Sequence, residues 1–193
     1  MNEPSAAGST ASDIARSVLA RPATLCTGRL VCVDGPAGSG KTTLGDELVR
    51  CFRDVHGLDV RLLHMDDVFG GWSGLDEGMD VVAADIVAPL RRGEAGHYRP
   101  FDWDRDSRAE ERVIEPCDVL VVEGVGSGNA AYADVVTCLV WVEAPSAVRL
   151  ERGVARDGEH MRERWLAWRV DEDAMFARER TRERADIFVD GTR

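Results

Sequence analysis

Lysine is almost missing from this chain. Lys and Arg together number 24, yet Lys41 is the single lysine and every other residue of that class is arginine. A bias toward arginine codons would thin out lysine without deciding where the last one stays. It stays inside Gly35-Pro36-Ala37-Gly38-Ser39-Gly40-Lys41-Thr42, which reads G-x-x-x-x-G-K-T, the phosphate-binding P-loop. A compact ammonium fits among phosphate oxygens as a point charge, whereas a guanidinium is wider and has a fixed fork. Positive charge in excess is also lacking. The net charge of −11 excludes a nucleic-acid backbone as the main partner, because that needs surplus cationic surface. It still leaves room for a local anion site.

Paired cysteines are absent as a pattern. Cys26, Cys32, Cys51, Cys117 and Cys138 make an odd five with no C-x-x-C spacing, which argues against metal or redox roles and for free thiols in a reducing compartment. Cys32 and Cys138 lie in apolar runs and read as small buried hydrophobes. No stretch approaches the ~18 apolar residues of a membrane span. The first residues lack the basic start and apolar run of a signal peptide. The expectation is a cytoplasmic protein with no membrane and no nucleic-acid partner; homo-oligomer formation is left open.

What is present suits one folded domain. The 193 residues are 44% hydrophobic and 31% charged, which are globular values. Residues 1–12 are small and polar and are expected to be a disordered tail; residues 13–193 are expected to form a single domain. Asp13 to Ala20 reads as a short helix ended by Arg21-Pro22. Strands are expected at Arg29–Asp34, Val60–Met65, Val119–Glu123, Val135–Val142 and Ile187–Val189. The continuous apolar runs at 119–123 and 135–142 are those of strands buried on both faces of a parallel sheet. Helical spacing appears over 40–52 and 80–92, and Pro145 marks another helix start. Met161, Trp165, Trp168 and Met175 form a core stripe on a later helix. Strands alternating with helices predict an α/β fold with about five parallel strands and helices on both faces. Ligands should then sit at the carboxyl ends of the strands.

Candidate chemistry falls at those ends. Backbone N–H groups of the P-loop (Gly35, Ala37, Gly38, Ser39, Gly40, Lys41, Thr42, Thr43) would face phosphates at a helix N-terminus, on a solvent-facing loop. Lys41 would reach the β- and γ-phosphates and Thr42 would offer a hydroxyl to Mg²⁺. Glu123, ending the third strand, can hold Mg²⁺ through water. Asp66, in His64-Met65-Asp66-Asp67, can take a proton from an attacking hydroxyl, with Asp67 pointing elsewhere. Tyr98, Arg99, Asp102 and Trp103 mix stacking and hydrogen-bonding groups suited to a small polar acceptor. Arg149, Arg152 and Arg156 share a helix face and could stabilise a transferring phosphoryl group.

These pieces resemble the uridine kinase-like P-loop kinases, related to pantothenate kinase and phosphoribulokinase, over most of residues 30–189. The Asp66 segment resembles that family's Asp-x-Phe-Tyr element, whose aspartate is the catalytic base. Arg152-Gly153-Val154-Ala155-Arg156-Asp157 resembles the start of its arginine-rich lid, about residues 150–165. Phe101-Asp102-Trp103 resembles its acceptor segment. Two departures stand out: Val68-Phe69 replaces Phe-Tyr, and Phe-Asp-Trp-Asp replaces Phe-Asp-His-Pro. The resemblance implies an ATP- and Mg²⁺-dependent kinase for a hydroxyl of a small metabolite, a nucleoside first, with Lys41, Asp66, Arg152 and Arg156 as catalytic residues. A nucleoside monophosphate kinase stays open, with Arg91, Arg92 and Arg99 as candidate phosphate readers, as does a nucleotide-binding regulator without turnover. A GTPase switch is excluded, since its Asn-Lys-x-Asp base reader needs a second lysine.

Overall fold

The computed structural model describes residues 10–192. Residues 1–9 of the expected tail lie outside them. Thr10 to Ser12 are ordered: Thr10 caps helix α1 (Ala11–Leu19) through a reciprocal capping box with Asp13, so this helix begins before Asp13.

Strand β1 (Arg29–Asp34) leads through the P-loop into α2 (Lys41–Arg50), which continues as π-helical turns to Val55. β2 (Val60–His64) follows, then a 3₁₀ turn, Met65–Asp67. α3 (Leu75–Val81), a π-helical stretch and α4 (Ala88–Arg91) form one continuous rod. That rod starts earlier than the periodicity suggests because Gly78 breaks the pattern. A Cβ at Gly78 would sit 2.5 Å from the Phe69 ring, so the glycine admits a buried aromatic at the cost of helix propensity.

Short strands β3 (Gly96–Tyr98), β4 (Phe101–Asp102), β5 (Ser107–Arg108) and β6 (Arg112–Ile114) come next. β3 pairs antiparallel with β6, and β4 with β5. β7 (Val119–Glu123), β8 (Val136–Glu143), α5 (Ser146–Asp157), α6 (Arg162–Glu179), α7 (Thr181–Arg184) and β9 (Ile187–Asp190) complete the chain.

The main sheet is parallel throughout, in the order β2-β7-β1-β8-β9. Its inner strands alternate between two cores. Leu30, Cys32, Leu120, Val122 and Leu139 face α3, the rod beyond it and α6. Val31, Val33, Val119, Val121, Cys138, Val140 and Val142 face α1 and α2. Both faces are dry, which is why the strands read as unbroken apolar runs. β1 is the switch point. The chain leaves β1 to one side, for β2 and then β7, and crosses to the other side for β8 and β9, so a crevice opens at the carboxyl ends. α5 and the start of α6 form the helical lid over it.

Candidate active site

The P-loop is pressed against its neighbours. Gly35 (φ 143°) and Gly38 (φ 78°) have backbone conformations that side chains rarely adopt. A Cβ on either would fall 2.0 Å from the Val142 carbonyl oxygen or 2.5 Å from that of Arg149. Glycine is required there by both φ and space. Lys41, expected on a solvent-facing loop, is instead 7% exposed. Its Nζ donates to the Pro36 carbonyl oxygen at 3.0 Å. Burial lowers its pKa, opposed by the charges of Glu123, Asp34, Glu172 and Asp66. The Ser39 hydroxyl is buried without a hydrogen-bond partner among the described residues, a donor still to be matched.

At the mouth of the loop the Thr42 hydroxyl donates to Glu123, with Oε1 and Oε2 at 3.2 and 3.3 Å. Glu123 is 4% exposed and also meets Nδ1 of His64 at 2.5 Å. The hydrogen bond to Glu123 is the chief cause raising the His64 pKa, against burial. A hydroxyl beside a carboxylate fits Mg²⁺, which keeps most of its water and takes one or two protein ligands plus phosphate oxygens. Thr42 and Glu123 are the residues that would hold it.

Two acids behind the loop have no counterpart among the sequence candidates. Asp34 ends β1 fully buried and accepts three N–H groups: Gly35 at 2.7 Å, Gly126 at 3.0 Å and Gly128 at 2.8 Å. Those bonds favour its charged form, but burial outweighs them and lifts its pKa to about 6. It ties the P-loop to the turn after β7. The signal was a lone carboxylate closing an apolar strand. Glu172 on α6, also fully buried, accepts the Ala37 N–H at 2.8 Å and pairs with Arg149 at 3.0 Å. Arg149 also donates to the Ala144 carbonyl oxygen at 3.1 Å. The pair braces the P-loop against both lid helices.

Removing one member of a buried pair strands the other charge and costs about 3–5 kcal/mol. Glu172→Ala is therefore expected to lower the Tm by roughly 10 °C for a chain of this size. Arg149→Met added to it should recover part of that loss. A thermal melt of Glu172→Ala within a degree or two of wild type would mean the brace carries no load.

In front of the loop lies a cleft of about 740 Å³. Asp66 opens onto it, exposed to the cleft's water yet walled by protein on most sides. Burial is the main cause raising its pKa, the Glu123 charge adds to it, and Lys41 and Arg156 oppose. Asp67 is turned to Arg112 at 3.2 Å. Trp103 donates from Nε1 to the Asp66 carbonyl oxygen at 3.0 Å, which pins the β4–β5 hairpin to the strand end bearing Asp66.

A family model described as AAA domain matches residues 31–184. The chain belongs to this family and is uridine kinase-like. A uridine kinase from Leuconostoc citreum is 29% identical over 146 residues, 66% of this chain and 68% of its own. A solved structure proposed to be a uridine kinase, from Bacillus stearothermophilus, superposes with a TM-score of 0.66 at 20% identity, over 93% of this chain and 97% of that one. One proposed to be a fructose transport system kinase, from Silicibacter, gives 0.63 at 25% identity over 94% and 99%. The chain spans about two thirds or less of the length of the curated relatives it matches.

Seen as a uridine kinase-like site, the cleft gathers Lys41, Thr42, Thr43, Asp66, Glu123 and Arg156. It does not gather all the expected acceptor residues. Tyr98 is in the core, and Arg99 donates to the Ala109 carbonyl oxygen at 2.9 Å. Asp102 caps its own turn, accepting N–H of Asp104 and Arg105 at 3.0 Å. Only Trp103 of that group lines the cleft. The lid arginines divide. Arg149 is structural. Arg152 reaches the cleft but donates to carbonyl oxygens of Gly38 (3.3 Å) and Gly191 (2.7 Å). Arg156 stands over the Trp165 ring at 5.5 Å and pairs with Asp157 at 2.7 Å. Trp72, Trp165, Trp168 and Arg164 line the cleft as well. Trp165 and Trp168 sit on the expected core stripe of α6; both are buried, and both also line the cleft.

Proposed function

We propose that the protein is a kinase that transfers the γ-phosphoryl group of ATP to a hydroxyl of a small metabolite. The observation that carries this is the placement of Asp66, a carboxylate without a hydrogen-bonded partner among the described residues, in one cleft with Lys41, Thr42 and Glu123. Lys41 and the loop amides would hold the donor phosphates. Bound Mg²⁺ would supply charge neutralisation on those phosphates. Asp66 accepts the acceptor's proton, and its raised pKa improves it as a base near neutral pH. Arg156 lies close enough to Asp66 for their charges to interact, so it would face the transferring group once released from Asp157. Arg152, bonded to the P-loop backbone, would position the loop.

Relatives named uridine kinase make a nucleoside the first acceptor to try. The nucleoside monophosphate reading has less support. Arg91 pairs with Asp134 at 2.8 Å, Arg92 with Glu94 at 2.6 Å, and Arg99 with a backbone carbonyl. None lines the cleft.

The test is acceptor-dependent ADP release with Mg-ATP, over nucleosides, nucleotides and small alcohols. Release above the no-acceptor background is expected from a hydroxyl compound. Tight Mg-ATP binding with no release from any compound would favour a regulator without turnover.

A further inference from the structure

The chain has five tryptophans, and four of them line this one cleft: Trp72, Trp103, Trp165 and Trp168. They come from three separate elements. Trp72 sits on the strap between β2 and α3, Trp103 on the hairpin, and Trp165 and Trp168 on α6. Trp72 is the hub, with ring centroids 5.9, 6.2 and 6.0 Å from Trp103, Trp165 and Trp168 in edge-on contacts. The strap holding it is Gly70-Gly71-Trp72-Ser73-Gly74.

Carboxylates stand beside the tryptophans, together with Arg156 over the Trp165 ring. Asp66, Asp67 and Asp106 line the wall beside the tryptophans. Among the described residues, the cleft is lined by no asparagine, glutamine, serine, tyrosine or histidine side chain, and the chain has no glutamine at all. Side chains that both donate and accept are confined to Thr42 and Thr43 at the phosphate end, among the described residues. Carboxylates only accept hydrogen bonds, so a ligand must bring the donors.

Cations of the segment from β3 to β6 bond elsewhere. Arg105 pairs with Asp102 at 3.6 Å, Arg108 donates to Glu77 at 2.7 Å and to the Val68 carbonyl oxygen at 3.0 Å, Arg112 pairs with Asp67, and Arg99 holds a backbone carbonyl. None of these four lines the cleft. The cations that do are Lys41 and Arg152, bonded to the P-loop backbone, and Arg156 and Arg164 on the lid side. A phosphate- or carboxylate-bearing acceptor would meet the acids of the wall without a cation from the hairpin. The walls already hold one cation by the means a ligand would use, Arg156 over Trp165.

Resting on the kinase reading above, we propose that the acceptor is a hydroxyl compound carrying a positively charged amine, protonated or quaternary. Tryptophan faces attract such a group through their quadrupole, and the carboxylates add Coulomb attraction in a confined cleft. The hydroxyl end then points to Asp66. Transfer breaks the bond between the γ-phosphorus and the bridging oxygen of ATP and forms a bond from the acceptor oxygen to that phosphorus. The hydroxyl proton goes to Asp66, and ADP leaves.

The test compares a cation with its neutral isostere. Choline and 3,3-dimethyl-1-butanol differ by carbon in place of the charged nitrogen. Binding is followed by tryptophan fluorescence and calorimetry with the protein saturated in a Mg²⁺-loaded non-hydrolysable ATP analogue. Choline is expected to bind roughly tenfold more tightly or better, the gain of one desolvated cation–π contact with added charge attraction. Trp103→Leu, at a partly exposed ring, and Asp106→Asn should each shrink that ratio while the circular dichroism spectrum stays as in wild type. Equal binding of the two compounds, or no binding of choline in the millimolar range, overturns the proposal.

Turnover separates the two readings. ADP release with uridine but with no amino alcohol would overturn the cationic acceptor and leave the kinase reading standing. Choline selectivity without ADP release from any compound would sink the kinase reading and leave the cation site.

Discussion

Lys41→Ala should cut phosphoryl transfer by roughly 10³-fold or more, the scale at which a preorganised charge on the reacting group is lost. The ammonium is buried and faces four carboxylates whose charges oppose the lowering of its pKa by burial. Deleting it makes the site more negative beside Glu123 and Asp66, where a polyphosphate would lie, so affinity for Mg-ATP should fall too. Lys41→Arg keeps the charge and is still expected to fail. The Nζ is held 3.0 Å from the Pro36 carbonyl oxygen, and a guanidinium there must displace either that contact or the phosphates. Calorimetric nucleotide binding and kcat on both variants decide the matter. Near-normal turnover in Lys41→Arg would refute the shape argument for this position.

Asp66→Asn should lower kcat roughly 10²- to 10⁴-fold, the usual span for losing a positioned base. Nucleotide affinity should change far less. Asp67→Asn is the control, because Asp67 is occupied by Arg112. The pH dependence supplies an independent readout. A base acts when deprotonated, so kcat should climb as pH rises through the Asp66 pKa. Burial holds that pKa above its ordinary value, so the climb should come at higher pH than a free aspartate would give. Asp66→Asn should remove this limb from whatever activity remains. An unchanged limb in Asp66→Asn, with loss in Asp67→Asn, would move the base by one residue.

The phosphate end of the site was legible because its chemistry is contiguous. Eight successive residues from Gly35 to Thr42 carry the loop, and the strand runs around it are apolar on both faces. The acceptor end was not. β3 to β6 are two or three residues long, too short for alternation to register. Which arginine serves the cleft depends on partners distant in sequence, such as Glu77 for Arg108. Glu172 hid in the gap between Trp168 and Met175. That gap falls on the buried face of α6, where a carboxylate without an evident partner should mark a structural ion pair. Asp34 hid as the last residue of a strand that the P-loop had already explained.

The lone lysine also makes the chain a single-site substrate for a lysine-specific endoprotease. Its one scissile bond, Lys41–Thr42, lies in the first turn of α2, with the lysine side chain buried. No protease can seat that bond while the turn is folded. When reclosing is fast, the cutting rate therefore reports how often this turn unravels. A ligand bound to the closed turn slows the cut in proportion to its own occupancy. Two fragments on a gel would thus measure the local opening free energy of the catalytic loop.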